Sequence, residues 1–129
     1  MDTKFQSRRP KYLNLVKIKQ PLPASVSILH RISGVLLFFP GLPLLLYSLQ
    51  QVLESPESYA QFQSVIANPI IKCGFIFFLW ALIHHVCAGI RHLALDLHLG
   101  SSLEGARLGS KLVVVFSVGI TILLGVLVW

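Results

Sequence analysis

Three stretches of this chain run on without a single Lys, Arg, Asp or Glu: Ile32 to Gln51 (or on to Leu53), Cys73 to Ile90, and Leu112 to Trp129. A helix rises about 1.5 Å per residue, so about 18 to 22 residues span roughly 27 to 33 Å, matching a bilayer hydrocarbon core of about 30 Å. Outer-membrane barrel strands alternate apolar and polar residues in short segments, and none of these runs alternates. The expected fold is an all-α membrane protein with three transmembrane helices. Composition agrees. Only 12% of the 129 residues are charged and 54% are hydrophobic, too little polar surface for a water-soluble globule of one domain. The net charge of +6 could suggest nucleic acid, but that requires a basic solvated face, and here the basic residues flank apolar runs. No nucleic-acid partner is expected.

The whole chain, 1–129, reads as one transmembrane domain: a cytoplasmic arm over 1–24, then spans over about 26–51, 70–95 and 109–129. The first span begins near Val26, after the turn-like Gln20-Pro21-Leu22-Pro23, and contains Pro40, Gly41 and Pro43. Proline removes a backbone donor and kinks a helix, so a bend is expected there and not a break.

Basic flanks set the orientation. Lys4, Arg8, Arg9, Lys11, Lys17 and Lys19 precede the first span, with Arg31 at the membrane edge, and Arg91, Arg107 and Lys111 mark the second loop. The first loop, roughly Val52 to Ile71, has Glu54 and Glu57 and no basic residue before Lys72. The arm and second loop are thus expected in the cytoplasm and Trp129 on the opposite, periplasmic face. The arm lacks an h-region and a cleavage site, and it lacks transit-peptide bias, which favours a bacterial inner membrane protein. Cys73 and Cys87 stand about 21 Å apart along one helix, too far for a disulfide, and form no metal motif.

Ionisable residues inside spans are costly and so informative. Ser27, His30 and Arg31 follow i, i+3, i+4 and share a face. They suit either an interfacial helix end with a snorkelling cation or a pocket for the polar head of a lipid-soluble carbonyl compound such as a quinone. On the second span, His85, Gly89, His92 and Asp96 share a stripe, while His84 points about 100° away. His85 lies six residues before Arg91, about 9 Å below the membrane edge. It is either a hydrogen-bonded packing residue or an axial ligand of a haem, with Gly89 leaving room for a flat macrocycle and Arg31 and Arg91 available to the propionates. His84 reads as a polar contact facing a partner, and His92 and His98 as solvated residues near the interface.

Arg9-Pro10, the segment Ser27-Ile28-Leu29-His30-Arg31-Ile32-Ser33-Gly34, the segment His85-Val86-Cys87-Ala88-Gly89-Ile90-Arg91-His92 with Asp96, and the ending Gly125-Val126-Leu127-Val128-Trp129 closely resemble the cytochrome b-type membrane anchor subunit of succinate dehydrogenase. The resemblance covers almost the whole chain. The pairing of S-x-x-H-R-x-[ST]-G with H-x-x-x-G-x-R-H is far more specific than either motif alone.

The resemblance implies a three-helix subunit that pairs with a second small membrane anchor, the two forming a heterodimeric bundle around one shared haem b. A flavoprotein subunit and an iron-sulfur subunit would dock on the cytoplasmic side. It further implies His85 as the axial haem ligand from this chain, Ser27 and Arg31 at a ubiquinone site, and His30, Arg31, Arg91 and His92 at or near the propionates. Such a chain carries no carbon chemistry of its own; it is the non-catalytic-head subunit of an oxidoreductase. Three rivals remain: a structural assembly protein without haem, a fumarate reductase anchor using menaquinone, and, least favoured, a small transporter, since no internal repeat is visible.

Overall fold

The structure is a computed structural model and describes residues 17–129. Lys4, Arg8, Arg9, Pro10 and Lys11, invoked for orientation and resemblance, lie outside the described residues. The described residues form helices and turns only: α1 (Leu22–Leu36), a π-helical turn (Leu37–Gly41), α2 (Leu42–Glu54), α3 (Pro56–Ile66), α4 (Pro69–Asp96) and α5 (Leu103–Val128). Three continuous helical rods, Leu22–Glu54, Pro69–Asp96 and Leu103–Val128, are long and apolar enough to cross a membrane.

Pro40 sits inside the first rod, where its ring would collide with the carbonyl of Leu36 and its nitrogen can donate nothing. The helix answers by widening one turn. Leu42 N–H reaches the Leu37 carbonyl, a five-residue step, and the backbone stays right-handed helical from Leu36 through Leu42. Gly41 fits this turn because a Cβ there would lie 3.1 Å from the Leu36 carbonyl oxygen.

The N-termini of α3, α4 and α5 are capped by short side chains. Ser55 and Ser58 exchange reciprocal bonds at the start of α3, Asn68 Oδ1 accepts from Ile70 N–H at 2.9 Å, and Ser102 Oγ accepts from Gly105 N–H at 3.0 Å. The segment read as a plain first loop therefore contains an 11-residue helix. α4 ends with His98 in the left-handed region at φ 60°, Leu99 N–H bonded to the Ala94 carbonyl and His98 N–H to the Leu95 carbonyl. That pattern recovers two carbonyls that the helix end would orphan.

α4 is the central element, packed most heavily on α5 and next on α1, while α1 also touches α5. The interior is small and polar: Val26, Ala81, Ala88 and Val113 are buried beside Ser33, His84, Ser110, Ser117 and Thr121. Large side chains such as Phe38, Phe39, Leu45, Ile90, Leu123 and Val126 point outward. A lipid solvent offers no hydrophobic drive between helices, so association rests on close approach through small residues. The α5 hydroxyls are satisfied within their own helix, Ser110 to Ala106, Ser117 to Val114 and Thr121 to Ser117, at 2.7, 3.2 and 2.6 Å. The free thiols Cys73 and Cys87 are exposed and half-buried respectively.

Candidate functional site

The α1–α4 contact gathers three imidazoles. His30 stacks on His85 with ring centroids 4.3 Å apart and planes 19° from parallel, and His92 tilts against the same His30 ring at 5.0 Å. The i, i+7 spacing of His85 and His92 places them one above the other on α4, so a single α1 histidine meets both. His92, expected to be solvated, belongs to this seam instead, and its Nε2 is buried with no hydrogen-bond partner.

His85 is fixed from one side. Its Nδ1 lies 3.1 Å from Ser33 Oγ and 3.1 Å from the His30 carbonyl oxygen, and Ser33 Oγ donates to that same carbonyl at 2.8 Å. A carbonyl can only accept, so the Nδ1 contact is satisfied when Nδ1 carries the proton. Nε2 then holds a lone pair and makes no hydrogen bond to any described residue. Gly34 permits the approach, because a Cβ there would stand 3.0 Å from His85 Cε1.

His84 takes the other side of α4. It is 1% exposed, so it faces this chain's own core and not a partner, which corrects the expectation from sequence. Its ring lies 5.4 Å from Trp80, it lies beside the Val26 backbone, and its Nε2 is unpartnered. His84 is the largest fully buried side chain among the described residues, so its ring is enclosed by this chain's own atoms and leaves no room for a macrocycle.

Ser27 is half-buried and Arg31 exposed, with no hydrogen bond or ion pair for either among the described residues. The structure therefore places both on the α1 face near His30 without joining them. Arg91 turns toward α5: a Cβ on Gly109 would lie 3.5 Å from Arg91 Nε, which is itself buried and unpartnered. It lines an open apolar cavity of about 440 Å³ between α4 and α5 with Cys87, Ile90, Leu95 and Phe116. Asp96 and His98 are exposed.

The residues present fit a haem. One imidazole has its Nδ1 committed and Nε2 open, and the metal-ligand histidines of proteins are held in this way, by the second nitrogen's bond to a carbonyl. Gly89 presents no side chain on the same stripe, and a Cβ there would reach only ordinary contact with His30 Nε2, at 3.6 Å. A buried polar atom without a partner costs roughly 1–3 kcal/mol, so Arg91 Nε, a donor, and His92 Nε2 mark places where a further group would bring a partner. Among the described residues no cluster of three His, Cys, Asp or Glu could hold a bare metal ion. Sequence reasoning had Ser33 and Gly34 only as motif letters. The i+3 spacing of Ser33 from His30 was the available signal, but the partner 52 residues away was not.

A three-rod apolar bundle with a histidine-lined seam at one end defines a multi-pass helical membrane protein built around a polar site. The chain belongs to the succinate dehydrogenase/fumarate reductase transmembrane subunit family, whose model matches residues 6–124. It is 40% identical over 126 residues to the succinate dehydrogenase cytochrome b556 subunit of Coxiella burnetii (strain RSA 493 / Nine Mile phase I), covering 97% of this chain and 100% of that relative. The subunit of the same name from Rickettsia bellii (strain RML369-C) is 36% identical over 120 residues, 93% of each chain. The one from Paracoccus denitrificans is 32% identical over 121 residues, 92% of this chain and 90% of the relative. The family expected from the paired motifs is thus the family to which the chain belongs.

Proposed function

We propose that this chain is the cytochrome b anchor of a succinate dehydrogenase in a bacterial inner membrane, with its amino-terminal arm cytoplasmic and Trp129 periplasmic. It holds a flavoprotein subunit and an iron-sulfur subunit to the membrane and pairs with a second small anchor to form the complete haem-binding bundle. The observation that carries this reading is His85, tied at Nδ1 and open at Nε2, in a chain whose relatives are named cytochrome b556 subunits.

In this reading His85 Nε2 would hold the haem iron from this chain, and a histidine of the partner anchor would hold it as well. The haem b, when bound, supplies one-electron redox chemistry inside the bilayer. Arg31 and Arg91, with His30 and His92, offer positive charge and N–H donors to the propionates at the membrane edge. Ser27 donates to an oxygen of ubiquinone, and Arg31 stabilises negative charge as electrons from succinate arrive by way of the iron-sulfur subunit. The low-dielectric surroundings make a fixed guanidinium more effective there than in water.

The test is a dithionite-reduced spectrum of the purified complex together with the masses of its co-purifying subunits. Haem absorbance with a flavoprotein and an iron-sulfur protein is expected; a colourless preparation would reject the reading in favour of an assembly protein. The family model spans fumarate reductases as well, so a menaquinone-linked anchor is the second reading. Extraction of the bound quinone separates the two.

A further inference from the structure

We infer that Ser33 is a positioning residue for His85: with the His30 carbonyl, its hydroxyl sets the tautomer and rotation of the imidazole. The inference rests on His85 being the haem ligand. Ser33 is 3% exposed and lies one helical turn from His30, so its hydroxyl folds back to donate to the His30 carbonyl at 2.8 Å. With its hydrogen so committed, Ser33 Oγ turns a lone pair toward His85 Nδ1 at 3.1 Å. The His30 carbonyl presents a second acceptor at the same distance. Every donor in this triangle then has an acceptor. The opposite tautomer, with Nδ1 bare, would face the His30 carbonyl lone pair to lone pair and would pull the Ser33 hydrogen off its own helix.

Two acceptors on Nδ1–H do two things. They stop rotation of the ring about its Cβ–Cγ bond, since a turned ring would lose both contacts, and Gly34, with no Cβ to meet Cε1, leaves room for the ring in this position. They also draw the Nδ1 proton outward and raise electron density at Nε2, which favours the more positively charged state of a bound metal. Ser33 therefore acts on affinity, orientation and potential through its contact with His85.

The experiment uses the intact purified complex carrying Ser33→Thr or Ser33→Val, two side chains of one shape that differ in the hydroxyl, and Ser33→Ala. Haem content, the midpoint potential from a redox titration and the low-spin electron paramagnetic resonance spectrum are read in each. Threonine is expected to retain wild-type values. Valine and alanine should raise the potential, broaden the resonance and lower haem affinity by about tenfold, the smaller end of the usual cost of losing such a partner. Valine behaving as threonine, or alanine leaving potential and resonance unchanged, would overturn the inference. His85→Ala is run alongside. If its chromophore survives, the ligand assignment itself fails; if it is lost while valine matches threonine, only the role of Ser33 falls.

Discussion

Gly34 on α1 and His85 on α4 meet so closely that one added carbon at Gly34 would stand 3.0 Å from His85 Cε1. Real Cβ contacts are rarely that short, so Gly34→Ala forces the imidazole away from Ser33 and the His30 carbonyl. Overpacking of this kind costs about 1–3 kcal/mol. The expected result is a complex that assembles with weakened haem retention, seen as a lower reduced-minus-oxidised absorbance per complex. Full haem occupancy with an unshifted spectrum would show that the ring is not confined there.

The two adjacent histidines separate cleanly. His85→Ala should abolish or alter the reduced b-haem absorbance. His84→Leu should keep it, because His84 is buried against Trp80 and the Val26 backbone on another side of α4. Removing a buried nitrogen that has no partner also relieves a desolvation penalty of roughly 1–3 kcal/mol, so His84→Leu is expected to be neutral or stabilising in thermal melts. Loss of the chromophore in His84→Leu alone would reverse the assignment.

Ser27→Ala and Arg31→Ala bear on the quinone. Each should lower succinate:ubiquinone reductase activity, by about tenfold or more for Arg31 given the usual effect of removing a preorganised electrostatic group. Succinate oxidation with a soluble artificial acceptor should persist. Equal loss of both activities would point to failed assembly and not to a quinone site.

Lys72 Nζ donates to the Trp129 carbonyl at 3.2 Å and lies 5.2 Å from the centroid of the Trp129 ring, so the start of α4 and the end of α5 share one face of the membrane. The opposite face carries Arg91, Arg107 and Lys111, and basic residues favour the cytoplasm. A phosphatase reporter fused after Trp129 should be active in the periplasm. Activity of a cytoplasm-only reporter at that position would invert the topology.

The turn between α4 and α5 is tight enough to be tested by one methyl group. A Cβ on Gly105 would lie 2.8 Å from the Gly100 Cα and carbonyl oxygen, backbone atoms that cannot swing aside. Gly105→Ala should destabilise the complex by about 1–3 kcal/mol. His98→Gly, by contrast, relieves a left-handed residue at φ 60° and should add about 0.5–1 kcal/mol after glycine's own loss of chain freedom. Melting temperatures of the purified variants decide both.

Charge-free runs sufficed to read three membrane helices, because a bilayer tolerates neither exposed backbone nor unpaired charge and leaves few alternatives. Periodicity likewise placed His85 and His92 on one stripe, since helical spacing is a local property. Less legible was α3, whose Ser55–Ser58 capping exchange and apolar Tyr59, Phe62 and Ile66 were short signals in a polar segment. The π turn at Pro40 was also out of reach: a proline announces a disturbance, but whether the helix bends, breaks or widens depends on which carbonyls find donors.

What the sequence determined by itself was solvent, helix count and the small set of polar residues that a membrane must account for. Only the tertiary structure decided which of those residues meet. It turned His84 into the core, set His92 against His30, sent Arg91 toward Gly109 on α5, and brought Ser33 to His85 across 52 residues. Helical periodicity gives each side chain its direction about its own axis, but the rotation of one helix against another is set by close packing of small residues, and that is a property of the pair.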